Sequence, residues 1–373
     1  MATQVQRASN DPRPMDDPRI NLSQKLQANR YYLPDLRLSY RGWPDAVNPN
    51  YPRLKVVLDA RIKSLYPPER AAALIKGDYG LLSSMWWPRA DAHRLETCTF
   101  WFLWLFTWDD EIDQSTSELF INISHANQFR AESYHYVRFA LGVPDEETHK
   151  WQFEKNAPNR PLIRSLDVIG ASLKEVYNQI MVFVDEIDYY MDCQQREQGR
   201  KLNGVIPTPE QYIETRLGTS AVTSMLALNE YADSQNLPRW IMTHDKMIDI
   251  WQEVNLNMSL SNDMLSLKKE IKHGDIDSMI PVLVHNRGFT IQEAIDDTCE
   301  VLRQNIDRFD ATAEDLLKIV REKQPELVDD VDYYIVGCRH NQTANLLWSL
   351  VTTRYGLGDT PRDADGGMTI SLE

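Results

Sequence analysis

Only four cysteines occur in the 373 residues, Cys98, Cys193, Cys299 and Cys338, and no two of them form a C-x-x-C unit. A disulfide framework and a structural zinc site are thereby excluded, and a reducing compartment is expected. Positive charge is also short: 40 Lys+Arg stand against 55 Asp+Glu, a net charge of −15. That surface releases no counterions from a phosphate backbone, which argues against nucleic acid and against an anionic membrane as partner. Long hydrophobic runs are missing. The longest nearly apolar stretch, Thr97 to Trp108, is too short to span a bilayer and ends directly in carboxylates. Residues Met1 to Asn29 carry no apolar h-region, so a secretory signal is not expected and the cytoplasm is the expected location. Period-2 alternation and hairpin dipeptides between apolar residues are absent too, which leaves no basis for a sheet.

What remains is helical. The segments 53–66, 90–114, 165–193, 210–231, 245–273, 290–323 and 328–355 lack internal proline and repeat apolar residues three and four apart. Pro67-Pro68, Pro88, Gly142-Val143-Pro144, Pro207 to Pro209 and Gly274 punctuate them. The fold class expected is all-α, a single antiparallel helical bundle over residues 51–356. Residues 1–50, with six prolines among polar residues, read as a disordered arm, and residues 357–373, rich in Gly and Asp, as a flexible tail.

Two clusters of oxygen ligands interrupt the apolar pattern. Trp101-Phe102-Leu103-Trp104-Leu105-Phe106-Thr107-Trp108 runs into Asp109-Asp110-Glu111-Ile112-Asp113. On a helix Asp109 and Asp113 lie about 40° apart and Asp110 about 100° from Asp109. Charge runs are usually solvated faces, but a helix apolar on all sides is buried and carries its carboxylates inward. Carboxylates gathered there repel one another unless a cation sits among them, and hard oxygen ligands suit Mg²⁺. In 245–273, Asn262, Ser266 and Glu270 fall at about 0°, 40° and 80° on one face, with Lys269 close to the same line. A lone stripe of this kind is more often a wet helix face; paired with the first cluster it reads as a second metal centre. Asp263, about 100° away, reads as a bystander.

With these motifs the chain resembles the microbial class I terpene synthases, the fungal and bacterial sesquiterpene cyclases in particular. Asp109 to Asp113 resembles their aspartate-rich motif and Asn262 to Glu270 their NSE motif; Arg216 stands where the family keeps a diphosphate-sensing arginine, and Trp348 with Arg354-Tyr355 looks like their C-terminal signature. The resemblance implies an isoprenyl diphosphate substrate and three Mg²⁺ ions held by Asp109, Asp113, Asn262, Ser266 and Glu270. It also implies diphosphate contacts from Arg216, Lys269, Arg354 and Tyr355, and effector residues at a helix break, here Thr219 and Ser220. Gly218 is expected to loosen that helix. Trp348, Phe106, Trp86 and Phe102 are expected to contour the hydrocarbon pocket, where π-faces stabilise carbocations. The enzyme is expected to act as a monomer or homodimer.

Rival readings are weaker. Asp296-Asp297-Thr298-Cys299-Glu300 imitates the second aspartate-rich motif of a prenyl diphosphate synthase but lies in an amphipathic helix and reads as a solvated face. A protonation-initiated cyclase needs a D-x-D-D acid, which is not present. A non-enzymatic helical scaffold leaves the paired oxygen stripes as unexplained costs. Farnesyl diphosphate is the favoured substrate, geranylgeranyl diphosphate the runner-up; spacing carries no information on product skeleton.

Overall fold

The structure, a computed structural model, describes residues 16–113, 117–174 and 177–373. It is an all-α bundle whose central member is the long helix Asp245–His273, packed against Ile291–Lys323 and Val328–Val351. Local sequence sets the helix ends. Thr290 and Glu293 cap Ile291–Lys323 reciprocally, Thr208 and Gln211 do the same for Pro209–Thr219, and Gly274 ends the central helix at φ 78°.

The aromatic helix Ala92–Asp113 is buried nearly all round. Its Trp101 and Trp104 stack at 4.9 Å between ring centres, Trp104 and Trp108 at 5.9 Å, and Trp108 continues onto Phe129 at 5.4 Å. Each indole N–H is satisfied, by Ser224, the Leu162 carbonyl and Ser133 respectively, so these rings fill the core at no polar cost. Among the described residues, no helix is long and apolar enough to cross a membrane.

The structure corrects the expectation for both ends of the bundle. Pro18 occupies the first turn of a helix, Pro18–Gln27, capped by the Asp17 carboxylate, so a proline that suggested disorder is here a helix-start residue. Leu22, Leu26, Tyr31, Leu33, Leu36 and Tyr40 are all buried. Residues 1–15 of the expected arm lie outside the described residues. The tail forms a strand, β2 (Met368–Ser371), antiparallel to β1 (Arg30–Leu33), with Met368 and Ile370 inward. Four-residue strands are too short for period-2 alternation to register in sequence, and they are stable because they pair with each other over the bundle.

Two helical segments are also subdivided. The stretch 165–193 contains Leu166–Leu173 and the start of Tyr177–Leu202. The stretch 210–231 breaks at Ala221, which adopts φ 54° between Pro209–Thr219 and Val222–Leu226. Gly218 is therefore not the breaking residue. It lies within helix, and a Cβ there would stand 2.2 Å from Cys193 Sγ and 2.6 Å from Cys193 Cβ. Its absence of side chain lets Pro209–Thr219 approach Tyr177–Leu202. Gly218→Ala is accordingly expected to destabilise the fold by about 1–3 kcal/mol through overpacking, read as a lowered melting temperature; an unchanged melt would show that the two helices separate freely.

Candidate active site

Both ligand-bearing helices run toward one mouth, and their sequence order grades the cavity between them. On Ala92–Asp113, Phe102 and Phe106 lie about two turns and one turn before Asp109; on Asp245–His273, Met258 lies about one turn before Asn262. The cavity, open at this mouth, is about 590 Å³. Its inner wall includes Leu82, Trp86, Phe102, Phe106, Val222, Met225 and Met258, and its outer wall Asp109, Asp110, Asp113, Arg216, Asn262, Ser266, Lys269, Glu270, Arg354 and Tyr355. Thr219 and Ser220 line it between these zones. Of the expected site residues only Trp348 is not in the lining. Its indole N–H donates to the Gly77 and Asp78 carbonyls at 2.9 and 3.1 Å, and its ring packs behind Phe106 and Tyr355. Trp348 thus supports the wall without touching the space.

The polar mouth is a connected network. Arg354 donates to Asp110, Nη2 to Oδ1 at 3.0 Å; Asn262 Nδ2 donates to the Tyr355 hydroxyl at 2.8 Å; and Asn262 Oδ1 accepts from Arg216 Nη2 at 2.8 Å. Arg216 Nε also donates to Asp263 Oδ1 at 3.0 Å, while Asp263 Oδ2 accepts from the Tyr212 hydroxyl at 2.6 Å and the Met279 amide at 2.9 Å. Asp263 is therefore not a bystander, and Asp110 is bonded into the same network. The helical angles are right, but each carboxylate faces a different neighbour, so angular distance from the stripe did not mean distance from the site. Ser266 Oγ donates to Glu270 Oε1 at 2.5 Å. Thr219 Oγ1 is buried without a hydrogen-bond partner, whereas Ser220 is anchored to Asn255 Oδ1 at 2.7 Å.

Charge is held here at a cost. Burial and the neighbouring Asp113 and Asp110 push Asp109 up to about 8, and burial with Asp263 pushes Glu270 up to about 8. Burial and the nearby Arg354 lower the Lys269 ammonium. The Glu270 Oε2 atom is buried and unpartnered. Among the described residues no three His, Cys, Asp or Glu side chains converge tightly enough to cage a metal by themselves. The donors instead face each other from two walls, where the unpartnered Glu270 Oε2 and the mutually repelling Asp109, Asp110 and Asp113 fit hard cations whose coordination is completed by a bound anion.

Sequence reasoning missed a second group at the mouth. Lys201 Nζ lies 3.2 Å from Asp113 Oδ1, 2.9 Å from Glu197 Oε1 and 3.1 Å from Asp275 Oδ2. Arg19, on the amino-terminal helix, ion-pairs with Asp277 and donates to the Val205 carbonyl at 2.9 Å. Both cations line the cavity. No local spacing links residues from segments this far apart; the one available signal was Asp275 and Asp277 just past the helix-ending Gly274. The imitation motif at Asp296 behaves as expected, with Asp297 paired to Arg287 and Glu300 to Arg303 on an exposed face.

This geometry is that of a terpenoid synthase, and comparison with known proteins agrees. Residues 101–308 match "Terpene synthase family 2, C-terminal metal binding". Sesquiterpene cyclase hepA of Aspergillus oryzae is 65% identical over 359 residues, covering 96% of this chain and 97% of that one. The (+)-eremophilene synthase of Gibberella fujikuroi is 28% identical, covering 88% of each. Among solved structures, hedycaryol synthase in complex with HEPES aligns with a TM-score of 0.69 at 19% identity over 85% of this chain and 98% of that one, and germacradien-4-ol synthase from Streptomyces citricolor with 0.68 at 18% identity over 83% and 96%. Those two show the shared fold. The chain belongs to the terpene synthase family and is an enzyme of the microbial class I type, with the metal-binding region characteristic of that family.

Proposed function

We propose that this protein is a Mg²⁺-dependent sesquiterpene cyclase that ionises farnesyl diphosphate, cyclises the resulting carbocation within its aromatic cavity and releases diphosphate. The observation carrying this reading is the single cavity that joins a carboxylate- and arginine-lined mouth to an aromatic interior, in a chain 65% identical to a sesquiterpene cyclase. Its size falls inside the range of about 300–1,000 Å³ usual for small-molecule sites.

In this reading Asp109 and Asp113 on one wall, and Asn262, Ser266 and Glu270 on the other, hold three Mg²⁺ ions. The ions, when bound, neutralise the charge that develops on the departing diphosphate. Arg216, Lys269, Arg354 and Tyr355 donate hydrogen bonds to its oxygens, the two guanidinium groups as planar forks. Asp110 and Asp263 orient those arginines, and Trp348 holds Phe106 and Tyr355 in place. Trp86, Phe102 and Phe106 present rings to the carbocation and keep water from it. The unpartnered Thr219 hydroxyl stands at the helix break as an effector contact. Four unpaired cysteines, three of them buried, suit a cytoplasmic enzyme.

The test is competition between equal farnesyl and geranylgeranyl diphosphates with Mg²⁺, products read by gas chromatography and mass spectrometry. Cyclic C15 products are expected to predominate. Conversion mainly to a cyclic diterpene would overturn the chain-length assignment.

A further inference from the structure

Among the polar side chains that line the cavity, Asn345 has no role so far. Asn345 lies on Val328–Val351, one turn before Trp348, and lines the cavity. Its Nδ2 donates to Ser261 Oγ at 3.2 Å, and Ser261 Oγ in turn donates to the Met258 carbonyl at 3.1 Å. These bonds fix which end of the amide is tied to the wall. The Oδ1 atom accepts no hydrogen bond among the described residues and is not among the buried orphaned atoms, which leaves it as the free polar end of a side chain that lines the cavity. One turn earlier, Asn341 is wholly buried and committed to structure, donating to the Trp86 carbonyl at 3.0 Å and accepting from Asn229 at 2.8 Å. The two amides differ in this respect alone: one is spent inside the core, the other is left facing the substrate space.

We propose that Asn345 is a specificity-determining residue whose amide oxygen fixes where positive charge rests during cyclisation. The inference rests on the cyclase reading of this cavity. Leu82, Trp86 and Phe102 offer only hydrocarbon faces and edges, the Met225 and Met258 thioethers are weak acceptors, and the Ser259 hydroxyl is turned to Asn255 Oδ1. A preorganised carbonyl dipole in such surroundings attracts a cation far more strongly than in water. The carbon that bears charge nearest Oδ1 is therefore held there longest, and loss of a proton from its neighbours sets the product. Asn345 reaches the central helix at Ser261, next to Asn262, yet hydrogen-bonds none of the groups assigned to the diphosphate. It acts after ionisation.

The experiment compares the parental enzyme with Asn345→Leu, which keeps the number and branching of side-chain heavy atoms and removes the dipole, measuring diphosphate release, the melting curve and the product distribution from farnesyl diphosphate. The ratio of the two leading products should change by at least about threefold while diphosphate release stays within about threefold of parental, as expected when only a late electrostatic contact is removed. A parental product ratio at retained turnover overturns the proposal. So does loss of diphosphate release in a protein with a native melt, since Asn345 would then serve ionisation. Should Asn345→Leu fail to fold, Asn345→Ser is read by the same criteria. Failure of the cyclase reading is distinguishable, because then the parental enzyme itself releases no diphosphate from farnesyl diphosphate.

Discussion

Asp109→Asn should lose at least about a hundredfold in kcat/KM with Mg²⁺, and Glu270→Gln comparably, because an amide supplies one neutral oxygen where a hard cation needs a charged one. The same substitutions should not weaken the metal-free fold. Asp109 Oδ1 accepts from Gln194 Nε2 at 2.5 Å and from the Tyr190 hydroxyl at 3.1 Å, and an asparagine oxygen retains both bonds. The sign follows from linkage. A carboxyl raised to about 8 in the folded protein binds a proton more tightly folded than unfolded, so stability falls as pH rises from the ordinary carboxylate range through about 8. Replacing Asp109 by a neutral amide removes that loss. In metal-free melts Asp109→Asn is expected to match the parent only below about pH 4 and to exceed it increasingly up to about pH 8 and above. A variant that is inactive and also less heat-stable than the parent at pH 9 would mark Asp109 as a structural carboxylate and defeat the metal-ligand assignment. Asp110→Asn should also lose turnover, through Arg354 and not through a metal.

The motifs were legible because each is local to one helix. Asp109 with Asp113, and Asn262 with Ser266 and Glu270, are spaced by whole turns, so the sequence alone places each set on one face. What joins the two faces was not legible. Asn262 is shared between Arg216 and Tyr355, and Asp110 is matched to Arg354, through contacts between residues 46 to 244 positions apart. Lys201 and Arg19 escaped for the same reason, and Arg19 for a second one: its helix begins at a proline within a polar segment, and composition averages the burial of Leu22 and Leu26 away. Trp348 was placed in the right neighbourhood but on the wrong side of the wall, because helical register says which face a ring occupies and not whether a smaller neighbour stands in front of it.

That network also decides how the arginines should be tested. Arg216→Lys is expected to reduce kcat by about 10²–10³ with the fold retained, since a single ammonium nitrogen lacks the separated donors by which Nε and Nη2 reach Asp263 and Asn262 and leave a third for a phosphate oxygen. Arg216 is half-buried, and its positive form is favoured by Asp263 and Tyr212 despite the desolvation. Lysine keeps that charge beside Asp263, whose remaining bonds to Tyr212 and Met279 stay in place. The fork is what is lost. Arg216→Ala is a harsher change, leaving Asp263 buried without its cation at a cost of about 3–5 kcal/mol, so its inactivity alone would not separate a catalytic role from a structural one. The pair of variants does. If Arg216→Lys turns over like the parent while Arg216→Ala unfolds, Arg216 serves only to neutralise Asp263, and the diphosphate contact is wrong. If Arg216→Lys melts like the parent but releases diphosphate hundreds of times more slowly, the guanidinium geometry itself is required. Because Asn262 Oδ1 is occupied by Arg216 in this structure, the same variant should also change the Mg²⁺ concentration needed for half-maximal activity, a readout that loss of stability would leave unmoved.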